Sequence, residues 1–319
     1  MRGLGRFCLA GFIAASGAPQ AAPPARAIDA AASKVLSAAR EALGGDSRLS
    51  SVKNFVATGR TRQVRGDHLV PIEFEIVCEL PDKYLRTDEI PAQESGPTAS
   101  GFNGAELIQL PPPSPTAGRD GGPGGGPSPA QMDAGRDGRV ASIKQDFVRL
   151  TLGMFAGSFD TYPLTFSYVG QAEAPQGKAD VLDARGPGSF AARLFINSET
   201  HLPIMLSWQG PGAPMRGMPG PGGPPITPGT ETPPPAAAAA GGPPAGGPPA
   251  GGMRGAPPAG PAAPPVEYRI YYADYRDVGG MQWPFRIRRA TGPDTTEETT
   301  FDRFRINTRI DHKRFEVRK

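Results

Sequence analysis

The residues of this 319-residue chain best able to do chemistry are closely spaced carboxylates, three histidines and two cysteines. Glu73, Glu75 and Glu79 stand near enough in sequence to suggest paired acid–base work. They alternate with apolar residues, however, and alternation places them on the solvated face of a strand. Asp180 with Asp183, and Glu297 with Glu298, read as turn or edge charges. His68, His201 and His312 lie far apart and outside HExxH spacing, and no CxxC is present, so a zinc or redox site has no basis. There is no GxSxG elbow and no P-loop. Gly121 to Gly126 is glycine-rich but lacks the Lys-Ser/Thr and the following helix that hold a phosphate. The expectation is a protein without catalytic residues, metal or cofactor, and not an enzyme. Cys78, on an apolar strand face, reads as a small hydrophobe.

In place of reactive groups the chain offers apolar bulk on one face of successive strands. The residues are Phe74, Ile76, Ile204, Leu206, Trp208, Ile270, Tyr272, Trp283, Phe285 and Ile287. They form either an ordinary dry core or the lining of a cavity that takes lipid or another hydrophobe. A helical stripe of Val140, Ile143, Phe147, Leu150 and Met154, interrupted by Lys144, Asp146 and Arg149, would be the lid over that cavity. Its glycine-rich flanks would let it move.

Elements to position these residues follow from periodicity. Residues 28–43 repeat apolar side chains at helical spacing and stop at Gly44-Gly45, and Asp46 opens a short turn to Leu49. From Val52 the period is two: Phe55, Ala57 and Gly59 share one face, and Thr58, Arg60 and Arg62 the other. Phe74, Ile76, Cys78 and Leu80 form the next strand, and 82–90 and 101–110 supply two more, with Asn103-Gly104 as a candidate tight turn. Further strands are expected at 164–172, 178–185, 189–197, 202–208, 266–275, 282–290 and 297–306. Short turns between them imply antiparallel neighbours. About ten strands and two helices make a mostly β (α+β) protein. A curved antiparallel sheet is expected, since one of that size usually curls, and a helix can cover its open side. Two stretches, 111–139 and 211–265, are so rich in Pro and Gly that they are expected to be disordered insertions within one domain spanning 28–319.

The first 27 residues read as a secretory signal. Arg2 and Arg6 precede the apolar run Phe7 to Ala15, and Ala25-Arg26-Ala27 offers the cleavage site. Cys8 stands too early, behind Arg6-Phe7, for a lipidation site. Cleavage removes three arginines, lowering Lys+Arg from 34 to 31 against Asp+Glu 31, so the mature chain is formally neutral and general nucleic-acid binding loses its support. It also leaves Cys78 without a cysteine partner. The remaining basic residues, among them Arg286, Arg288, Arg289, Arg303, Arg305 and Arg314, read as solvated strand faces. A contact with anionic headgroups or a partner is the alternative. No transmembrane span is expected in the mature chain, and the leader would carry it across the inner membrane into the periplasm.

Several ordered motifs resemble the LolA-like outer-membrane lipoprotein-sorting proteins. Residues Ala179 to Ala184, followed by Ala192 to Pro203, resemble the family's central strands and its "I-D-x-x-T-x-L-P" turn, with Asn197 in place of Asp. Tyr272 to Pro284 resembles its "D-Y-x-x-V-x-G-x-x-x-P" segment, and Ile306 to Phe315 its closing "N-x-x-I-D-x-x-x-F". The resemblance implies a periplasmic, unclosed antiparallel half-barrel with a helical lid and an apolar cavity for acyl chains. In such carriers a cavity arginine holds the lid, and Arg60 and Arg86 are this chain's candidates. Two functions compete: a carrier of lipoprotein acyl chains or lipid, and an envelope sensor or interaction module that binds another envelope protein.

Overall fold

Alternating side chains and tight turns build a single twelve-stranded antiparallel sheet. The computed structural model describes residues 29–91, 96–112, 128–174, 177–211 and 264–316. The expected leader at 1–27, and residues 113–127 and 212–263 of the two Pro/Gly-rich stretches, lie outside the described residues.

Two helices open the described chain, α1 (Ala30–Ala42) and α2 (Asp46–Ser51). Asp29 caps α1 through Oδ1, which accepts from the Ala31 and Ala32 amides at 3.0 and 3.2 Å. Strands β1 (Asn54–Arg65), β2 (His68–Glu79), β3 (Lys83–Glu89), β4 (Thr98–Asn103) and β5 (Glu106–Leu110) follow as a meander. The stretch expected as one strand at 101–110 is thus two. Asn103 pairs with Glu106 around Gly104, whose φ of 60° suits a two-residue hairpin turn.

Helix α3 (Pro129–Phe155) then carries the chain from one sheet edge to the other. Strands β6 (Thr165–Ala174), β7 (Gly177–Arg185), β8 (Ala191–Asn197), β9 (Pro203–Pro211), β10 (Pro265–Asp277), β11 (Gln282–Thr291) and β12 (Asp294–Ile306) form a second meander. The two are joined where β1 pairs with β12, from Phe55 opposite Ile306 to Gln63 opposite Glu297. The order is β5-β4-β3-β2-β1-β12-β11-β10-β9-β8-β7-β6, so β5 and β6 are free edges and the half-barrel is unclosed. The edge at β6 is partly occupied, since Asp29 Oδ2 accepts from the Tyr168 amide at 2.7 Å.

Helix α3 starts eleven residues before Val140, within the stretch expected to be disordered. The cause is local. Ser128 Oγ accepts from the Gln131 amide at 3.3 Å, Gln131 Oε1 accepts from the Ser128 amide at 2.8 Å, and proline occupies the first turn, where its missing N–H costs nothing. Residues 130–139 are exposed on every side, and burial begins at Val140.

The sheet packs on both faces. Its inner face, with α1 and α3, forms the main core. On the outer face a smaller cluster joins Val56, Val77, Leu85 and Ile108 to Phe315, carried there by a short 3-10 turn, His312–Phe315. Arg314 pairs with Glu75, and His312 lies 3.2 Å from Glu79, so two of the carboxylates expected on a solvated face meet counter-charge from the C-terminal segment.

Candidate functional site

The inner face is built by strand parity. Phe55 and Ala57 on β1, Phe74 and Ile76 on β2, Leu206 on β9, Ile270 and Tyr272 on β10, and Trp283, Phe285 and Ile287 on β11 all point into the main core and are buried. Trp208 is partly buried and stacks on Tyr268 with ring centroids 5.6 Å apart. Ile204 departs from the expected set. Phe195 pairs with Met205 and Ile196 with Pro203, leaving Ile204 as the extra residue of a bulge, partly buried and in neither cluster.

Helix α3 lies against this face. Val140, Phe147, Leu150 and Met154 are buried and Ile143 is packed against the core. The stripe is wider than its spacing suggested. Every residue from Phe147 to Ala156 is buried, including Val148, Leu152 and Phe155, because this half of the helix sits inside the concavity. Phe147 meets Tyr84, Phe102 and Phe159 at centroid distances of 5.3, 5.6 and 6.0 Å, and Phe155 meets Trp283 at 5.7 Å. The space expected as a cavity is occupied here by the helix's own side chains.

Three polar groups hold the helix in this apolar setting. The Tyr272 hydroxyl donates to the Arg149 carbonyl. The Tyr275 hydroxyl lies 2.8 Å from the carbonyls of both Gly153 and Pro203. The Arg149 guanidinium bonds Asp146 at 2.9 Å and Gln145 at 3.2 Å and stacks over Trp208 at 4.3 Å. Burial lowers its proton affinity, and the Asp146 carboxylate opposes that shift. Two buried donors, Trp283 Nε1 and Arg149 Nε, have no acceptor among the described residues. An unsatisfied buried donor costs about 1–3 kcal/mol.

Farther along the same strands the inner face turns polar. Thr61, Gln63 and Arg65 continue the parity of Phe55 and Ala57, and a cavity of about 210 Å³ opens there, reached also by Arg86, Asp88 and Glu297. Arg86 lies in this region, bonded to Asp88 at 2.7 Å, while Arg60 is exposed and pairs loosely with Asp302 at 3.9 Å. The arginine buried where α3 meets the sheet is Arg149, on the helix itself.

The groups weighed for catalysis are dispersed. Asp180 accepts from Tyr168 and Gln171, each at 3.1 Å, and Asp183 pairs with Arg193 at 2.9 Å. Cys78 is buried on the inner face. Among the described residues no group of three or more His, Cys, Asp or Glu is placed to hold a metal ion, and no helix is long and apolar enough to cross a membrane.

No family model matches the chain, and no curated protein matches it. Among solved structures it is similar to a LolA superfamily protein from Nitrosomonas europaea, with 12% identity over 89% of this chain and 97% of that one and a TM-score of 0.48. It is also similar to an outer-membrane lipoprotein-sorting protein domain from Vibrio parahaemolyticus, with 10% identity, the same coverage of 89% and 97%, and a TM-score of 0.44. A DUF1329 family protein from Desulfovibrio piger matches at 7% identity over 89% and 97% of the two chains, with a TM-score of 0.39.

Proposed function

We propose that this chain is a periplasmic binding protein for acyl chains, of lipid or of lipoprotein, held on the inner face of the half-barrel where the second half of α3 now sits. The observation that carries the reading is the ten-residue run Phe147 to Ala156, buried on all sides within a sheet whose strands pair without it. A helix that only covered a core would bury one stripe. This one fills a groove that the sheet alone defines, as an exchangeable occupant would.

Energies of the two occupants are comparable. Each acyl methylene buried contributes ~0.8 kcal/mol, so a sixteen-carbon chain offers about 12 kcal/mol. Withdrawing Phe147, Val148, Leu150, Leu152, Met154 and Phe155 forfeits roughly 1.5–3 kcal/mol each, about 9–18 kcal/mol together. A single chain is therefore near balance, and a ligand with two or three chains displaces the helix. An ester or amide carbonyl would also give Trp283 Nε1 an acceptor that it lacks in the closed form. Binding of this kind needs no catalytic group.

Native mass spectrometry of the protein isolated from its own cell envelope tests the reading. The expected result is a lipid-sized adduct lost on denaturation. A preparation carrying a stoichiometric protein partner and no lipid overturns it in favour of the interaction-module reading.

A further inference from the structure

We propose that the polar end of the inner face is a second site, which binds a zwitterionic group pairing an ammonium with a phosphate or carboxylate. It goes beyond the acyl-chain reading, because its charged and hydroxyl side chains lie outside the apolar interior beneath α3, which the site borders at Phe74.

The geometry rests on a connected set of side chains on β1, β3, β11 and β12. On β3, Arg86 Nε donates to Asp88 at 2.7 Å, and its Nη2 donates to Thr61 Oγ1 on β1 at 3.2 Å. Thr61 and Thr299 share a buried hydrogen bond of 2.8 Å across the β1–β12 seam. Thr299 Oγ1 donates to Glu297 at 3.1 Å, and Arg289 lies 3.7 Å from the same carboxylate. The Arg86 guanidinium also stacks over the Phe74 ring, 4.7 Å from its centroid. Such networks hold each charge in one orientation before any ligand arrives, which reduces the entropy lost on binding.

Charge and size select the ligand class. Of the side chains lining the cavity, Arg65 and Arg86 are cationic, and Asp88 and Glu297 are anionic. A wall with both signs attracts a simple ion with one set of charges and repels it with the other, whereas each charge of a zwitterion meets its opposite. A guanidinium has five N–H donors, and Arg86 commits two of them to Asp88 and Thr61, so it can still receive an oxyanion. Glu297 stands across the sheet on β12 as acceptor for the ammonium. A cavity of about 210 Å³ is smaller than a typical drug-sized pocket and suits a headgroup or an amino acid.

The test uses calorimetry with glycerophosphoethanolamine, which has the headgroup and no acyl chain. It should bind, with glycerophosphate and ethanolamine each at least tenfold weaker. Arg86→Gln and Glu297→Gln should each weaken it at least tenfold, and Arg65→Gln, in the exposed hairpin, supplies a variant that leaves the buried network intact. Glycerophosphate binding as tightly as the zwitterion overturns the proposal, as does absence of binding at millimolar concentration. Lyso-phosphatidylethanolamine distinguishes the sources: tighter binding than the chain-free compound marks a lipid headgroup, and equal binding marks a free solute in the same pocket. A long-chain alcohol, which carries no charge, probes the apolar interior alone, so the two sites fail or succeed separately.

Discussion

Substitution of Gly153 in α3 separates packing from helix propensity. An ideal Cβ at this position would stand 2.8 Å from Cγ of Tyr272 and closer still to Cδ1 and Cε1. Carbon atoms rest about 3.5–4.0 Å apart, so the ring or the helix must yield. The ring is 3% exposed and tied through its hydroxyl to Arg149, one turn earlier in the same helix, so it cannot swing clear. Overpacking of this kind costs about 1–3 kcal/mol, against about 1 kcal/mol gained when alanine replaces glycine in a helix. The expected net effect of Gly153→Ala is a loss of up to about 2 kcal/mol. Gly138 supplies the contrast within the same helix: nothing lies within 4 Å of its added Cβ, so Gly138→Ala should stabilise by up to about 1 kcal/mol. Urea midpoints of the two variants should move in opposite directions. A midpoint for Gly153→Ala raised as far as that of Gly138→Ala would refute the packing of α3 against β10. If α3 can withdraw as a unit, hydrogen exchange should quicken over residues 147–155 in Gly153→Ala while the β1–β12 amides stay protected.

Three further outcomes are expected. Ser128→Ala removes the capping box and should cost about 1 kcal/mol at the start of α3, visible as faster exchange over residues 130–139 and a lower urea midpoint. Arg149→Met keeps an apolar stem but loses the stacking on Trp208. Double-mutant cycles with Trp208→Leu should return a coupling of about 0.5–2 kcal/mol, and zero coupling would mean the contact carries no energy. Burial pushes the Tyr84 phenol up to about 12, and burial likewise raises those of Tyr272 and Tyr275 and the Cys78 thiol. In the unfolded chain thiol and phenols titrate near their ordinary values of about 8.5 and 10, so the folded state binds more protons above them. Stability should hold below about pH 8 and fall as pH rises, by about 1.4 kcal/mol per unit for each group past its unfolded value. Urea midpoints that stay flat from pH 8 to 11 would contradict this.

Alternation made the sheet readable from sequence, because each inner residue had a strand to sit on and a short turn to return it. The inner set was therefore found with one exception, Ile204, whose bulge arises from pairing between β8 and β9 and leaves no mark in a single strand's pattern. Composition misled at 128–139, where glycine content outweighed the signature Ser128-Pro129-Ala130-Gln131 that starts α3. The width of the buried helical surface depends on the concavity and could not come from helical spacing alone. The polar pocket was more accessible than it looked: Thr61, Gln63 and Arg65 follow Phe55, Ala57 and Gly59 at every second position, so their inward orientation was already implied. What sequence could not supply was the cross-strand company of Arg86 and Glu297.

The ladder between β1 and β12 has a consequence for the order in which the protein can form. Apart from β9 and β10, which pair across the stretch between residues 211 and 265, each meander zips between neighbours close in sequence, but residues 55–63 must wait for residues 297–306. A chain emerging from a narrow channel N-terminus first would hold β1 as a bare hydrogen-bonding edge through almost its whole passage, open to strands of other molecules. Assembly would then finish with one late closure, and whatever shields that edge in the interval governs the yield of folded protein.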